Sequence, residues 1–121
     1  MTIYLAHSAS YDFVRELYEP IQQSELSKKY TFLFPHGGKP LNSKDRLAAC
    51  DLVLAEVSLP SIGLGIELGW ANDLKKKIIC LHRTDVQPAK SLTFVSRIFI
   101  HYQSTQELIE GLQRVLAKVA L

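Results

Sequence analysis

Two spacings of apolar residues alternate along this chain, one suited to strands and one to helices. Thr2-Ile3-Tyr4-Leu5-Ala6 is a short β-type run closed by the polar stretch His7-Ser8-Ala9-Ser10, which predicts a strand ending in a polar loop. Ser10 then suits the N-cap of a helix with Phe13, Val14, Leu17, Tyr18 and Ile21 on one face. Pro20 interrupts that face, so a kink is expected there, with an irregular helical continuation to about Leu26. Tyr30 to Phe34 reads as a second strand, Pro35 to Pro40 as a loop, and Ser43 to Ala49 as a short helix. Asp51 to Val57 is a β-branched apolar run of strand length, followed by a Pro-, Ser- and Gly-punctuated loop from Ser58 to Gly65 and then a helix. The lysines at 75–77 mark a turn into a fourth strand, Lys77 to His82. Arg83 to Pro88 is loop, Ser91 to Val95 a turn or short helix, and Arg97 to Tyr102 a fifth strand. The last helix is the clearest: Ser104 and Glu107 form a capping box, and Leu108, Ile109, Leu112, Val115, Leu116 and Val119 fill one face.

Strands alternating with helices imply right-handed crossovers and a parallel sheet covered on both faces. The expected fold is α/β, a five-stranded parallel sheet in a flavodoxin-like or Rossmann-like three-layer sandwich. Ligands of such sheets bind beyond the carboxyl ends of the strands. That rule places the segments His7 to Ser10, Pro35 to Asn42, Ser58 to Gly65 and Arg83 to Ser91 on one functional rim.

Composition narrows the function classes. At 121 residues the chain makes one domain, long enough to bury a core without disulfides or metal. A net charge of +2 is too slight for a surface that tracks nucleic-acid phosphates. Cys50 and Cys80 form no C-x-x-C pair, and His7, His82 and His101 share no metal-ligand spacing, so no metal or cofactor is expected. The N-terminus lacks the basic start and long apolar core of a signal peptide, and no apolar stretch reaches membrane-spanning length. These features lead to the expectation of a cytoplasmic protein that works without a membrane.

The candidate chemistry lies between Cys50 and Ala71. Gly63 and Gly65, read as lying just before a helix, let the backbone pass close to a ligand, and first-turn amides suit an anion. Glu67, read in the first turn, is then held ionised by the helix dipole, the state a nucleophile needs. The competing reading is a solvated glutamate that merely complements the dipole. Gly63-x-Gly65 has no third matching glycine and no acidic residue ends the second strand, so a dinucleotide site is disfavoured.

The pattern Asp51-x-x-x-Ala55-Glu56-Val57-Ser58-x-Pro60-Ser61-x-Gly63-x-Gly65-x-Glu67-Leu68-Gly69, with Lys77-Ile78-Ile79-Cys80-Leu81-x-Arg83 after it, resembles the 2′-deoxynucleoside 5′-phosphate N-hydrolases. That family belongs with the nucleoside 2-deoxyribosyltransferases. A weaker match opens the chain at Ile3-Tyr4-Leu5-Ala6-x-Ser8. The resemblance implies cleavage of the N-glycosidic bond of a nucleoside 5′-monophosphate, with Glu67 attacking the anomeric carbon to form a covalent glycosyl intermediate. It further implies that Ser61 and Ser91 hold the 5′-phosphate, Ser91 reaching over from the neighbouring subunit of a homodimer, while Tyr4, Ser8, Gly63 and Gly65 shape the sugar and base pocket. Each has an ordinary alternative: core packing for Tyr4, a backbone turn for Ser8, a loop bond for Ser61 and a helix cap for Ser91. The chain departs from the family at Ser43, where the family places an aspartate that assists proton delivery to the leaving base. Asp45 lies two residues on and shares no helix face with position 43, so it replaces that aspartate only if the helix register shifts. Base exchange by a deoxyribosyltransferase, or silent nucleotide binding, are the rival functions.

Overall fold

The computed structural model describes residues 1–35 and 42–119. Five parallel strands form one sheet in the order β2-β1-β3-β4-β5. Their spans are β1 Thr2–His7, β2 Thr31–Leu33, β3 Leu52–Glu56, β4 Lys77–Arg83 and β5 Ile98–Tyr102. The helices are α1 Glu19–Gln22, α2 Leu26–Lys29, α3 Ser43–Ala49, α4 Ile62–Asp73 and α5 Thr105–Val119. The order is that of flavodoxin-like sheets, with a reversal of winding between β1 and β3.

Strand alternation divides the core in two. Ile3, Leu5, Leu52, Leu54, Ile79 and Leu81 face Leu17, Ile21, Leu108, Leu112 and Leu116 on one side. Tyr4, Ala6, Val53, Ala55, Ile78 and Cys80 face Leu47, Leu64, Leu68 and Ala71 of α3 and α4 on the other. The registers Ala6↔Ala55↔Cys80 and His7↔Glu56↔Leu81 line up the ends of the three central strands.

The helical segment before α2 differs from its expected form. Val14–Tyr18 is a π-helical turn, closed by the Glu19 amide bonding to the Val14 carbonyl. Pro20 explains it, because proline cannot donate to the preceding turn and its ring crowds that turn's carbonyl, which a wider turn relieves. Val14 consequently faces solvent instead of the core. The helical continuation also runs past Leu26, to Lys29. At the exit of α4, Lys75 adopts φ 60°, and the Lys75 and Lys76 amides bond back to the Asn72 and Ala71 carbonyls. This is a Schellman stop with lysine where glycine is usual. Among the described residues no helix is long and apolar enough to cross a membrane, and no cluster of three His, Cys, Asp or Glu is placed to hold a metal.

Candidate active site

The site is built where the sheet reverses its winding. Tyr4 is fully buried on β1, facing α3 and α4, and its hydroxyl donates to Glu67 Oε2 at 2.7 Å. Ser43, the first residue of α3, reaches the same phenol. Burial pushes the Tyr4 phenol well above the ordinary tyrosine value; the Ser43 bond pulls it back, and the neighbouring Glu67 carboxylate pushes it up again. Tyr4 therefore keeps its proton and serves as a fixed donor. Three residues far apart in sequence thus meet at one phenolic oxygen.

The helix that carries Glu67 begins earlier than its composition suggests. Ser61 is the N-cap, accepting the Leu64 amide at 3.4 Å, and α4 starts at Ile62. Gly63 and Gly65 are therefore inside the first helical turn, not ahead of it, and neither has a positive φ. Their role here is bareness: a Cβ at Gly65 would meet nothing within 4 Å. Glu67 accordingly lies in the second turn, beyond the short reach of the dipole. The Tyr4 hydroxyl is a group that holds its carboxylate.

The other candidate residues divide clearly. Ser8 is buried at the end of β1, and its Oγ accepts the Ser10 amide at 3.1 Å, so it shapes a turn on the functional rim. Asp45 is exposed on α3, while Ser43 is the residue turned to Tyr4; the register has not shifted. Ser91 is exposed within a 3₁₀ turn, Lys90–Phe94, that is capped by Ala89, so it is not a helix cap. Ala89 and Leu92, on either side of it, line a mostly apolar cavity of about 290 Å³ whose other wall includes Ser61, Leu64 and Gly65. Asp51 accepts the Thr2 amide at 2.7 Å at the opposite end of the sheet and ties β1 to β3. The loop residues His36 to Lys39, also candidates on the rim, lie outside the described residues.

A second polar cluster lies on the α5 side, around Glu56. Glu56 is 1% exposed and accepts the Ser58 amide at 2.6 Å and the Tyr102 hydroxyl. Tyr102 in turn meets the Tyr11 hydroxyl at 3.0 Å, and the Arg83 guanidinium lies over the Tyr11 ring while binding both Glu16 oxygens at 2.7 and 2.8 Å. Burial pushes the Glu56 carboxyl above its usual range, with Tyr102, Ser58 and Arg83 pulling it back. The one advance signal is the alternation Leu52-x-Leu54-x-Glu56, which puts a carboxylate on a face that is otherwise leucine.

Known proteins place this geometry in context. No family model matches the chain. A 5-hydroxymethyl-dUMP N-hydrolase from Esox lucius is 37% identical over 83 residues, covering 67% of this chain and 56% of that relative. The chain is a homologue of the nucleoside 5′-phosphate N-hydrolases. It spans only about half the length of that curated relative. Among solved structures, a Clostridium botulinum CMP N-glycosidase aligns over 93% of this chain and 99% of its own, with a TM-score of 0.69 and 27% identity. A flavodoxin-like domain from a Synechococcus protein aligns over 96% of this chain and 99% of its own, at TM-score 0.59 and 13% identity, a likeness of fold alone.

Proposed function

We propose that this protein is an N-glycosidase that cleaves the base from a nucleoside 5′-monophosphate, with Glu67 as the nucleophile. The observation that carries the reading is the half-buried Glu67 carboxylate held by the buried Tyr4 phenol at the reversal point of a sheet whose fold is similar to that of a CMP N-glycosidase. A nucleophile must be aimed, and the Tyr4 hydroxyl fixes the Glu67 carboxylate through Oε2. Glu67 attacks C1′ as the bond to the base breaks, passing through an oxocarbenium-like state; the base leaves with the bonding electrons and takes up a proton. Water then cleaves the glycosyl ester, releasing sugar 5-phosphate and restoring the carboxylate. Ser61 and the bare N-terminal turn of α4 bind the phosphate, and Ser91 of a second copy completes that end. The two named relatives act on 5-hydroxymethyl-dUMP and CMP, both pyrimidine 5′-monophosphates, so the substrate is sought first in that class.

The test is chromatographic detection of free base from a panel of deoxy- and ribonucleoside 5′-monophosphates, beside the matching nucleosides and with or without an added acceptor base. Base is expected faster from a nucleotide than from its nucleoside, with no new nucleotide formed on the acceptor. Glu67→Gln is expected to stop turnover while nucleotide binding persists. Equal rates with and without the phosphate, or a folded Glu67→Gln protein that still turns over, would overturn the assignment.

A further inference from the structure

Positions 52, 54 and 56 of β3 point to the same face, and the first two are leucines packed in the core. A third leucine there would bury apolar area without desolvating a charge, and replacing a buried ionic group by a well-packed apolar one is often neutral or stabilising. The carboxylate does something leucine cannot. Its Oε1 accepts the amide of Ser58, two residues on, where the chain has left the strand and begun the loop toward α4. The Ser58 hydroxyl meanwhile accepts the Arg83 amide at 2.8 Å, which pins the same residue to the end of β4. The Val57 amide bonds to the Leu81 carbonyl at 2.8 Å just before it. Ser58 is thus gripped from two strands, and only Leu59 and Pro60 separate it from Ser61, the cap of α4. Leu59 itself packs against the core on the Glu56 side. So short a tether carries the position of Ser58 directly to Ser61 and to the first-turn amides.

We propose that Glu56 is a positioning residue, setting through Ser58 where the phosphate-binding end of the site stands. This rests on the N-hydrolase reading above, in which that end of α4 receives the 5′-phosphate. Glu56 touches no substrate. Tyr102 holds its second oxygen, and Tyr11 backs Tyr102, so the carboxylate is braced from β5 and from the loop after β1. A misplaced phosphate loop weakens the nucleotide and leaves the free nucleoside untouched, which separates positioning from a general loss of stability.

The experiment compares kcat/KM for a nucleoside 5′-monophosphate with that for its nucleoside in the wild type, Glu56→Leu, Glu56→Gln and Ser58→Ala. In Glu56→Leu the nucleotide-to-nucleoside ratio is expected to fall about ten-fold, mostly through KM, as for one lost hydrogen bond at the binding step. Glu56→Gln keeps an acceptor for the Ser58 amide and is expected to restore the ratio to within about two-fold of the wild type. Ser58→Ala loses the grip from β4 and is expected to lower the ratio a few-fold, which serves as the test should Glu56→Leu not fold. An unchanged ratio in the folded variants overturns the inference, even if their melting temperatures drop. If the wild type frees no base from any nucleotide, the N-hydrolase reading fails by itself, and the same variants are titrated calorimetrically with CMP and with 5-hydroxymethyl-dUMP. Weakened binding in Glu56→Leu with recovery in Glu56→Gln then supports the positioning role, and unchanged or absent binding overturns it.

Discussion

Ser43 sets the residue-scale question, because it stands where the family resemblance leads one to expect an aspartate and it reaches the phenol that holds Glu67. A serine hydroxyl cannot deliver a proton at neutral pH, and a placed acid is typically worth about a hundred- to ten-thousand-fold in rate. Ser43→Asp puts a second carboxyl beside Glu67, where like charge favours one of the pair retaining its proton, the state an acid requires. We expect Ser43→Asp to speed base release at least about ten-fold, and Asp45→Asn, on the exposed side of α3, to leave the rate unchanged. Single-turnover kinetics on both variants check this; a sharp loss in Asp45→Asn would assign the proton to Asp45 instead. Glu56 makes a prediction in pH. Its carboxyl is raised above the ordinary 4.5, chiefly by burial, with Tyr102, Tyr11, Arg83 and the in-register His7 around it. A raised acid binds its proton more readily folded than unfolded, so its stabilising contribution is full below 4.5 and is lost as pH climbs through the folded value. Melting temperatures of wild type and Glu56→Gln, followed upward from pH 4, should diverge in favour of the variant; parallel curves would contradict the raised carboxyl. The resemblance put Tyr4 and Glu67 in one site, but neither their contact nor that of Glu56 with Tyr102 could be read in advance. Tyr4 and Glu67, and Glu56 and Tyr102, are joined by tertiary packing, which local spacing does not encode.

At the scale of elements, the pattern was legible wherever one face of a strand or helix is buried. All five strands and the short α3 lie where alternation and periodicity put them, within a residue or two at their ends. The start of α4 was not, because Ile62-Gly63-Leu64-Gly65 is poor helix-forming composition, glycine costing about 1 kcal/mol against alanine at each interior position. Capping by Ser61 and burial of Leu64, Leu68 and Ala71 outweigh that. Helix propensity and packing conflict again in α5, where Gly111 faces β5. An alanine there gains about 1 kcal/mol of intrinsic helix preference, yet its Cβ would stand 2.8 Å from Ile100 Cγ2, a stiff β-branched group. Overpacking of this kind costs about 1–3 kcal/mol, so it wins. Gly111→Ala is expected to destabilise the fold by about 1 kcal/mol net. Gly69→Ala, where a Cβ meets nothing within 4 Å in the single chain, is expected to stabilise that chain by about 0.5–1 kcal/mol. Urea titrations of the two variants decide both signs.

At the scale of the whole molecule, the site as proposed is incomplete in one chain. In the proposed site Ser91 serves the neighbouring chain, and it sits on a turn that also exposes Phe94 to 85% of its surface. At the start of α4, Ile62 is likewise 85% exposed and Ile66 49%. Large apolar side chains standing this far out on two neighbouring elements are the mark of a surface that another chain covers. A two-fold arrangement lets each copy lend its Ser91 turn to the α4 end of the other, burying both sets of residues at once. We therefore expect a homodimer by sedimentation, with Phe94→Glu shifting it to monomer and removing nucleotide cleavage. Mixing distinguishes a shared site from simple association. Ser91→Ala and Glu67→Gln should each be weak or inactive alone. After mild dissociation and reassociation, half the dimers are mixed, and each mixed dimer rebuilds one complete site, so roughly a quarter of the wild-type activity should return. Recovery would show that Glu67 of one chain works with Ser91 of another. A monomer with full activity, or a dimer in which mixing restores nothing, would place the whole phosphate site within a single chain.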